Sequence, residues 1–168
     1  MQSIVYFSLG SNLGDRYSNL LECVSLIESN VGEIKSLSSI YKNLAQGFIG
    51  DYFYNCCVKV STSYKPLELI EIILSIEKKM GRKTRNIKKC ESRKIDIDIV
   101  LYDDLIIEEK KLVIPHPRYT KRSFVLVPLL EIDKKLVDPK SKIMIKELLD
   151  EISSEEILDK IKFPYSKA

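Results

Sequence analysis

The chain has no tryptophan, a single histidine, and only six glycines and six prolines. No low-complexity tract or internal repeat is present either. Its four cysteines, Cys23, Cys56, Cys57 and Cys90, show no CxxC or zinc-type spacing, which excludes a paired-cysteine framework and a zinc module. Cys56 and Cys57 stand together in an apolar run and read as small buried hydrophobes. No apolar run reaches the roughly 18 residues that a membrane span needs. No basic leader and long apolar stretch precede Gly10, so no secretory signal is expected. These absences together point to a reducing compartment, the cytoplasm. A net charge of +3 is also too small to mark a nucleic-acid binder.

What is present is an ordinary globular composition, 45% hydrophobic and 30% charged. At 168 residues, without repeats or a linker, it is expected to form one domain over 1–168. The basic charge is uneven. Lys78, Lys79, Arg82, Lys83, Arg85, Lys88, Lys89, Arg93 and Lys94 fall within one short segment whose only acid is Glu91. Two aspartates, Asp96 and Asp98, follow at once.

Periodicity supplies the elements. Ile4 to Leu9 reads as a strand and Gly10 to Gly14 as a turn. Asp15 to about Ser29 carries apolar residues at helical spacing. Leu37 to Tyr41 suggests a second strand, and Asn43 to Asp51 a glycine-containing loop. Phe53 to Val60 is aromatic and β-branched and reads as a third strand. Pro66 opens a helix with the stripe Leu69, Ile73, Ile76 and Met80, and Gly81 ends it. Arg82 to Lys94 is a long loop, and Ile95 to Leu101 a strand. Phe124 to Ile132, broken by Pro128, reads as a short helical segment. Lys146 to Ile161 reads as one or two short helices. Strand, helix, strand, strand, helix, strand implies an α+β fold: a ferredoxin-like antiparallel sheet with helices packed on it and a C-terminal extension.

Asp96 and Asp98 alternate with isoleucines, so both carboxylates aim at one place, about 6.5–7 Å apart along the strand. Paired hard oxygens suit Mg²⁺, whose coordination is usually completed by water and substrate phosphates. The arginines before them carry planar forks that match phosphate oxygens. Ile114-Pro115-His116-Pro117-Arg118 holds the lone histidine between residues that fix φ, and suits a phosphate donor more than a base. Phe53 and Asn55 share a strand face. Asn55 can donate to and accept from a heterocycle, and Phe53 with Phe124 could sandwich a flat ring.

Taken in order, these segments resemble one family. Ser8-Leu9-Gly10-Ser11-Asn12-Leu13-Gly14-Asp15-Arg16 resembles the N-terminal signature of the 6-hydroxymethyl-7,8-dihydropterin pyrophosphokinases. Phe53-Tyr54-Asn55, Glu77 through Arg82, Ser92-Arg93-Lys94-Ile95-Asp96-Ile97-Asp98-Ile99, Ile114 to Arg118 and Arg122 to Leu129 resemble its later motifs, over roughly residues 3 to 132. The resemblance implies transfer of pyrophosphate from ATP to 6-hydroxymethyl-7,8-dihydropterin, giving AMP, in folate biosynthesis. It implies two Mg²⁺ ions with ATP, held by Asp96 and Asp98. It assigns Arg82, Arg93 and Asp98 to catalysis. Glu77, Arg85, Arg93, His116 and Arg122 fall to ATP, and Asn43, Phe53, Asn55 and Phe124 to the pterin. A monomer that binds neither nucleic acid nor membrane is expected. Two departures stand out: Cys90 lies near a position where members often carry an aromatic, and the segment Lys83 to Glu91 is longer than in many relatives. They motivate an alternative, a pterin binder with weakened turnover. The basic loop motivates another, an RNA-binding module, although an unmetallated Asp pair would repel a phosphate backbone.

Overall fold

The computed structural model describes residues 1–46, 49–82, 92–152 and 157–163. Arg85, expected among the ATP contacts, lies outside the described residues, as do Lys88, Lys89 and Cys90.

Strand β1 (Ser3–Ser11) sits between β4 (Phe53–Thr62) and β5 (Asp96–Tyr102), antiparallel to both. The sheet continues from β4 to β3 (Ile40–Asn43), and from β3 to a C-terminal strand, β8 (Ile157–Ile161). Strand β2 (Glu33–Leu37) pairs with the far half of β4. The order β5-β1-β4-β3, with β2 extending the same edge, is the antiparallel ferredoxin-like arrangement expected from the element order.

Two of the expected elements differ in the fold. The strand read over Leu37 to Tyr41 straddles a break between β2 and β3. At the break, Ser38 donates its N–H to Cys57 O at 3.0 Å. Its hydroxyl accepts the Cys57 N–H at 2.9 Å, so a side chain takes over a ladder bond and the edge bends. The terminal segment read as helical gives one short helix, α4 (Ile145–Asp150), and then the strand β8. A hairpin, β6 (Ile107–Glu109) with β7 (Leu112–Ile114), leads into the His116 segment.

Helices α1 (Arg16–Asn30) and α2 (Pro66–Lys79) cover one sheet face. Asp15 caps α1 by accepting the Ser18 N–H at 3.0 Å, and Gly81, at φ 95°, stops the chain after α2. Val5, Phe7 and Leu9 of β1, Cys56, Val58 and Val60 of β4, and Ile97 and Ile99 of β5 point into this layer. There they meet Leu20, Val24 and Ile27 of α1 and Leu69, Ile73 and Ile76 of α2. Each fully buried Leu or Ile contributes about 1.5–3 kcal/mol to that packing.

The opposite face carries the alternate residues and is only half covered. Helix α3 (Ser123–Ile132) and α4 pack on Tyr6, Cys57, Val100 and Leu101. Helix α3 runs through Pro128, its sixth residue, whose missing N–H leaves the Phe124 carbonyl without its intrahelical donor. Asp133, just after α3, accepts from Tyr6 Oη at 2.6 Å and from Lys59 Nζ at 2.9 Å. Glu131 accepts from Tyr41 Oη at 2.6 Å and from Ser39 Oγ at 2.7 Å. Among the described residues no helix is long and apolar enough to cross a membrane.

Candidate active site

The uncovered half of this face is where the expected residues gather. In β5 the residues alternate between partly exposed Asp96 and Asp98 and buried Ile97 and Ile99. The isoleucines belong to the core under the helices, so the two carboxylates share the other face. In register beside them lie Gly10, opposite Asp96, and Ser8, opposite Asp98. On the far side of β1, Gly10 faces Asn55; beyond that, Asn43 faces Phe53 and Tyr41 faces Asn55. One row across four strands thus runs from a carboxylate pair to a carboxamide pair.

Gly10 is what lets the row close up. A Cβ there would meet Asn55 Oδ1 at 2.8 Å and Phe53 Cδ1 at 3.5 Å. Asn55, 4% exposed, donates through Nδ2 to Asn43 Oδ1, and Asn43, 2% exposed, donates to Leu44 O at 3.0 Å. This chain of bonds fixes which way the Asn55 amide points, with its oxygen toward Gly10.

Arginines close the other end. Arg82 Nη1 lies 2.7 Å from Asp96 Oδ1 and 2.6 Å from Glu77 Oε1. Burial alone would lower the pKa of Arg82, but the Asp96 and Glu77 carboxylates outweigh it and raise the value. Arg93 Nη1 is 3.2 Å from Asp96 Oδ2, and its guanidinium stands 5.9 Å above the Phe53 ring. Its Nε is buried with no hydrogen-bond partner among the described residues.

Glu77, expected among the ATP contacts, is 2% exposed on the buried stripe of α2. Its carboxylate accepts the Ile97 N–H at 2.8 Å as well as a bond from Arg82 Nη1 at 2.6 Å. It therefore locks α2, Arg82 and the strand carrying both aspartates into one unit.

His116 is held from its backbone, whose N–H donates to Val100 O at 2.9 Å. Its Nδ1 accepts the Arg118 N–H at 3.2 Å, which leaves Nε2 as the N–H of the neutral ring. That Nε2 lies 3.8 Å from Asp98 Oδ2, so the histidine faces the carboxylate pair. The start of α3 supplies Phe124 in its first turn and Arg122 as its N-cap, with the Arg122 guanidinium 5.5 Å from the Phe124 ring centroid. Val125 O accepts from the Cys57 thiol at 3.6 Å, which seats that turn over β4 two residues along from Asn55.

Two residues that carried no separate role in the sequence organise the rim. Asn12, fully buried, accepts the Arg93 N–H at 2.7 Å and donates its own N–H to Arg93 O at 3.1 Å. Its Nδ2 reaches Ser92 Oγ at 3.2 Å and Asp51 O at 3.3 Å. Arg16 donates to Tyr52 O at 2.9 Å and lies 4.8 Å from the Tyr54 ring centroid. The signal for Asn12 was a polar residue in the turn after a buried strand; nothing local shows that its partners come from two distant loops.

Among the described residues no group of three or more His, Cys, Asp or Glu side chains is arranged to hold a metal. Asp96 and Asp98 are 23% and 22% exposed, and offer hard oxygens on an open face. Two carboxylates with the remaining positions left to phosphate and water fit Mg²⁺, which dehydrates reluctantly.

A carboxylate pair ringed by arginines and a histidine has the chemistry of a polyphosphate-handling enzyme, and the buried carboxamides beside it suit a polar heterocycle. Residues 6–134 match the family model described as 7,8-dihydro-6-hydroxymethylpterin-pyrophosphokinase. The chain belongs to that family. It is 42% identical over 148 residues to the Aquifex aeolicus 2-amino-4-hydroxy-6-hydroxymethyldihydropteridine pyrophosphokinase, covering 88% of this chain and 91% of that one. The Bacillus subtilis enzyme of the same name is 40% identical over 134 residues, 79% of each chain. Folic acid synthesis protein FOL1 of Dictyostelium discoideum is 43% identical over 140 residues, but the chain spans only 20% of its length. Plasmodium falciparum HPPK-DHPS, solved with pteroate, superposes with a TM-score of 0.72 at 18% identity over 89% of this chain and 42% of that one. At that identity the likeness speaks for the fold.

Proposed function

We propose that Asp96 and Asp98 are the metal-binding face of this enzyme, that Arg82, Arg93, His116 and Arg122 handle the ATP phosphates, and that Asn43, Phe53, Asn55 and Phe124 take the pterin. The chain is an ATP-dependent diphosphotransferase of folate biosynthesis, as its family and relatives are. It moves the pyrophosphoryl group of ATP to 6-hydroxymethyl-7,8-dihydropterin and releases AMP. The observation that supports this division of labour is the row across the sheet, with paired carboxylates and arginines at one end and the Asn43–Asn55 pair at the other.

In this reading the hydroxymethyl oxygen attacks the β-phosphorus in line and AMP departs with the α-phosphate. No covalent enzyme intermediate is needed. Two Mg²⁺ ions at Asp96 and Asp98 would neutralise charge on the phosphate oxygens. The side chains do the positioning. Arg93, whose Nε has no partner among the described residues, and Arg82 meet the charge that builds on the bridging oxygen. His116 gives its Nε2–H to a phosphate oxygen. Asp98 orients the attacking hydroxyl. Asn55 and Asn43 read the edge of the pterin while Phe53 and Phe124 flank its faces. Glu77 acts through Arg82 and the β5 backbone, not by touching the nucleotide. The same proposal has residues 1–168 working in the cytoplasm as a single monomeric unit, without nucleic acid or membrane.

Replacing Asp98 with alanine tests the core of the proposal. With ATP, Mg²⁺ and the pterin alcohol, AMP formation should fall by about three orders of magnitude or more, while the melting curve stays close to that of the parent. Near-normal turnover at saturating Mg²⁺ would refute the assignment.

A further inference from the structure

Strand β8 lies beyond the residues matched by the family model, which end at 134. It is nevertheless built into the sheet. It pairs with β3 in the register Ile40↔Ile161, Tyr41↔Lys160, Lys42↔Asp159 and Asn43↔Ile157. Side chains fasten it on both flanks. Lys160 Nζ lies 3.6 Å from Glu131 Oε1 and 5.6 Å from the Tyr41 ring centroid, and Lys42 Nζ is 3.7 Å from Asp159 Oδ2. Two residues past the strand, Phe163 drops into the main core at 8% exposure and stacks on Tyr17 of α1, with centroids 6.0 Å apart.

The last residue of β3 is Asn43, which accepts the Asn55 amide. Strand β3 is only four residues long. Stripped of β8, its outer edge would lose its backbone partners, and short edge strands open locally at little cost. We infer that β8 is a positioning element for pterin recognition, with Phe163 as its pin: it holds β3 in register so that Asn43 fixes the Asn55 amide. The inference rests on the assignment of Asn43 and Asn55 to the pterin. It also predicts selectivity, because β5, with both aspartates, lies at the opposite edge of the sheet, separated from β3 by β1 and β4.

The test compares Phe163→Ala, Phe163→Leu, Lys160→Ala and Asn43→Ala in the full chain, measuring KM for each substrate, kcat, and hydrogen exchange of the β3 amides. Phe163→Ala should raise the pterin KM about tenfold, with ATP KM and kcat within about twofold. Phe163→Leu should restore most of the loss. Exchange at β3 should quicken in the alanine variant. Lys160 is largely exposed, so Lys160→Ala loosens β8 without opening the core, and should raise the pterin KM by about threefold. If Asn43→Ala raises the pterin KM while Phe163→Ala and Lys160→Ala do not, the role of β8 is overturned and the pterin assignment survives. An equal rise in both KM values for Phe163→Ala overturns it too, as general loosening. If Asn43→Ala leaves the pterin KM unchanged, the pterin assignment fails and the inference fails with it.

Discussion

Replacing Gly10 with alanine would probe the packing of the site with a single methyl group. Gly10 does not occupy the left-handed region, so the backbone tolerates alanine. The methyl carbon would, however, lie 2.8 Å from Asn55 Oδ1, closer than van der Waals contact allows. Asn55 is buried and already tied to Asn43, so the carboxamide can yield only by turning or by giving up that bond. Overpacking of this kind costs about 1–2 kcal/mol of stability. The larger effect falls on recognition. Misplacing one or two hydrogen bonds to the heterocycle, at about 1–1.5 kcal/mol each, corresponds to a rise of about 5- to 150-fold in the pterin KM. The nearest atoms all belong to β4, so ATP binding should change by less than about twofold. Steady-state AMP formation with each substrate varied in turn, alongside a urea melt, gives all three quantities. An unchanged pterin KM would refute the reasoning, as would equal rises for both substrates.

Glu77→Ala should strip the Ile97 N–H and Arg82 of a buried partner and cost on the order of 2–4 kcal/mol, read by urea denaturation. A loss below about 0.5 kcal/mol would contradict its locking role. Acid stability offers another check. Burial pushes the carboxyls of Glu131 and Asp133 upward, but hydrogen bonds from Tyr41 and Ser39 to the first, and from Tyr6 and Lys59 to the second, hold both below their ordinary values. Their stabilisation is therefore complete above their ordinary values of 4.5 and 3.8 and disappears as the pH falls through the lowered ones. The pair Glu131→Gln and Asp133→Asn should be less stable than the parent at pH 7 and lose less further stability on acidification below about pH 4.5. Parallel stability curves would show that these bonds do not anchor α3.

Much of the fold and of the site was legible because its signals are local. The Asp-Ile-Asp-Ile alternation implies two faces, and the fold puts the aspartates on the open one. Pro66, the apolar stripe and Gly81 mark α2. What escaped depends on partners remote in sequence. The β2–β3 break arises from the Ser38 hydroxyl meeting a backbone N–H on β4, which no periodicity announces. Strand β8 takes its conformation from an open edge at β3, so its helical pattern yields to pairing. Glu77 sat in plain view as a charge on an apolar stripe, but that pattern does not reveal that its partners are Arg82 and a strand amide. Asn12 reads as turn chemistry until both loops are in place.

That asparagine has a mechanical corollary. Asp51 stands two residues before Phe53, on the carboxamide side of the row, and Arg93 meets Asp96 on the carboxylate side. Both are moored to one rigid post at the end of β1. One buried asparagine thus ties the two ends of the row together, and its loss would unfasten both at once.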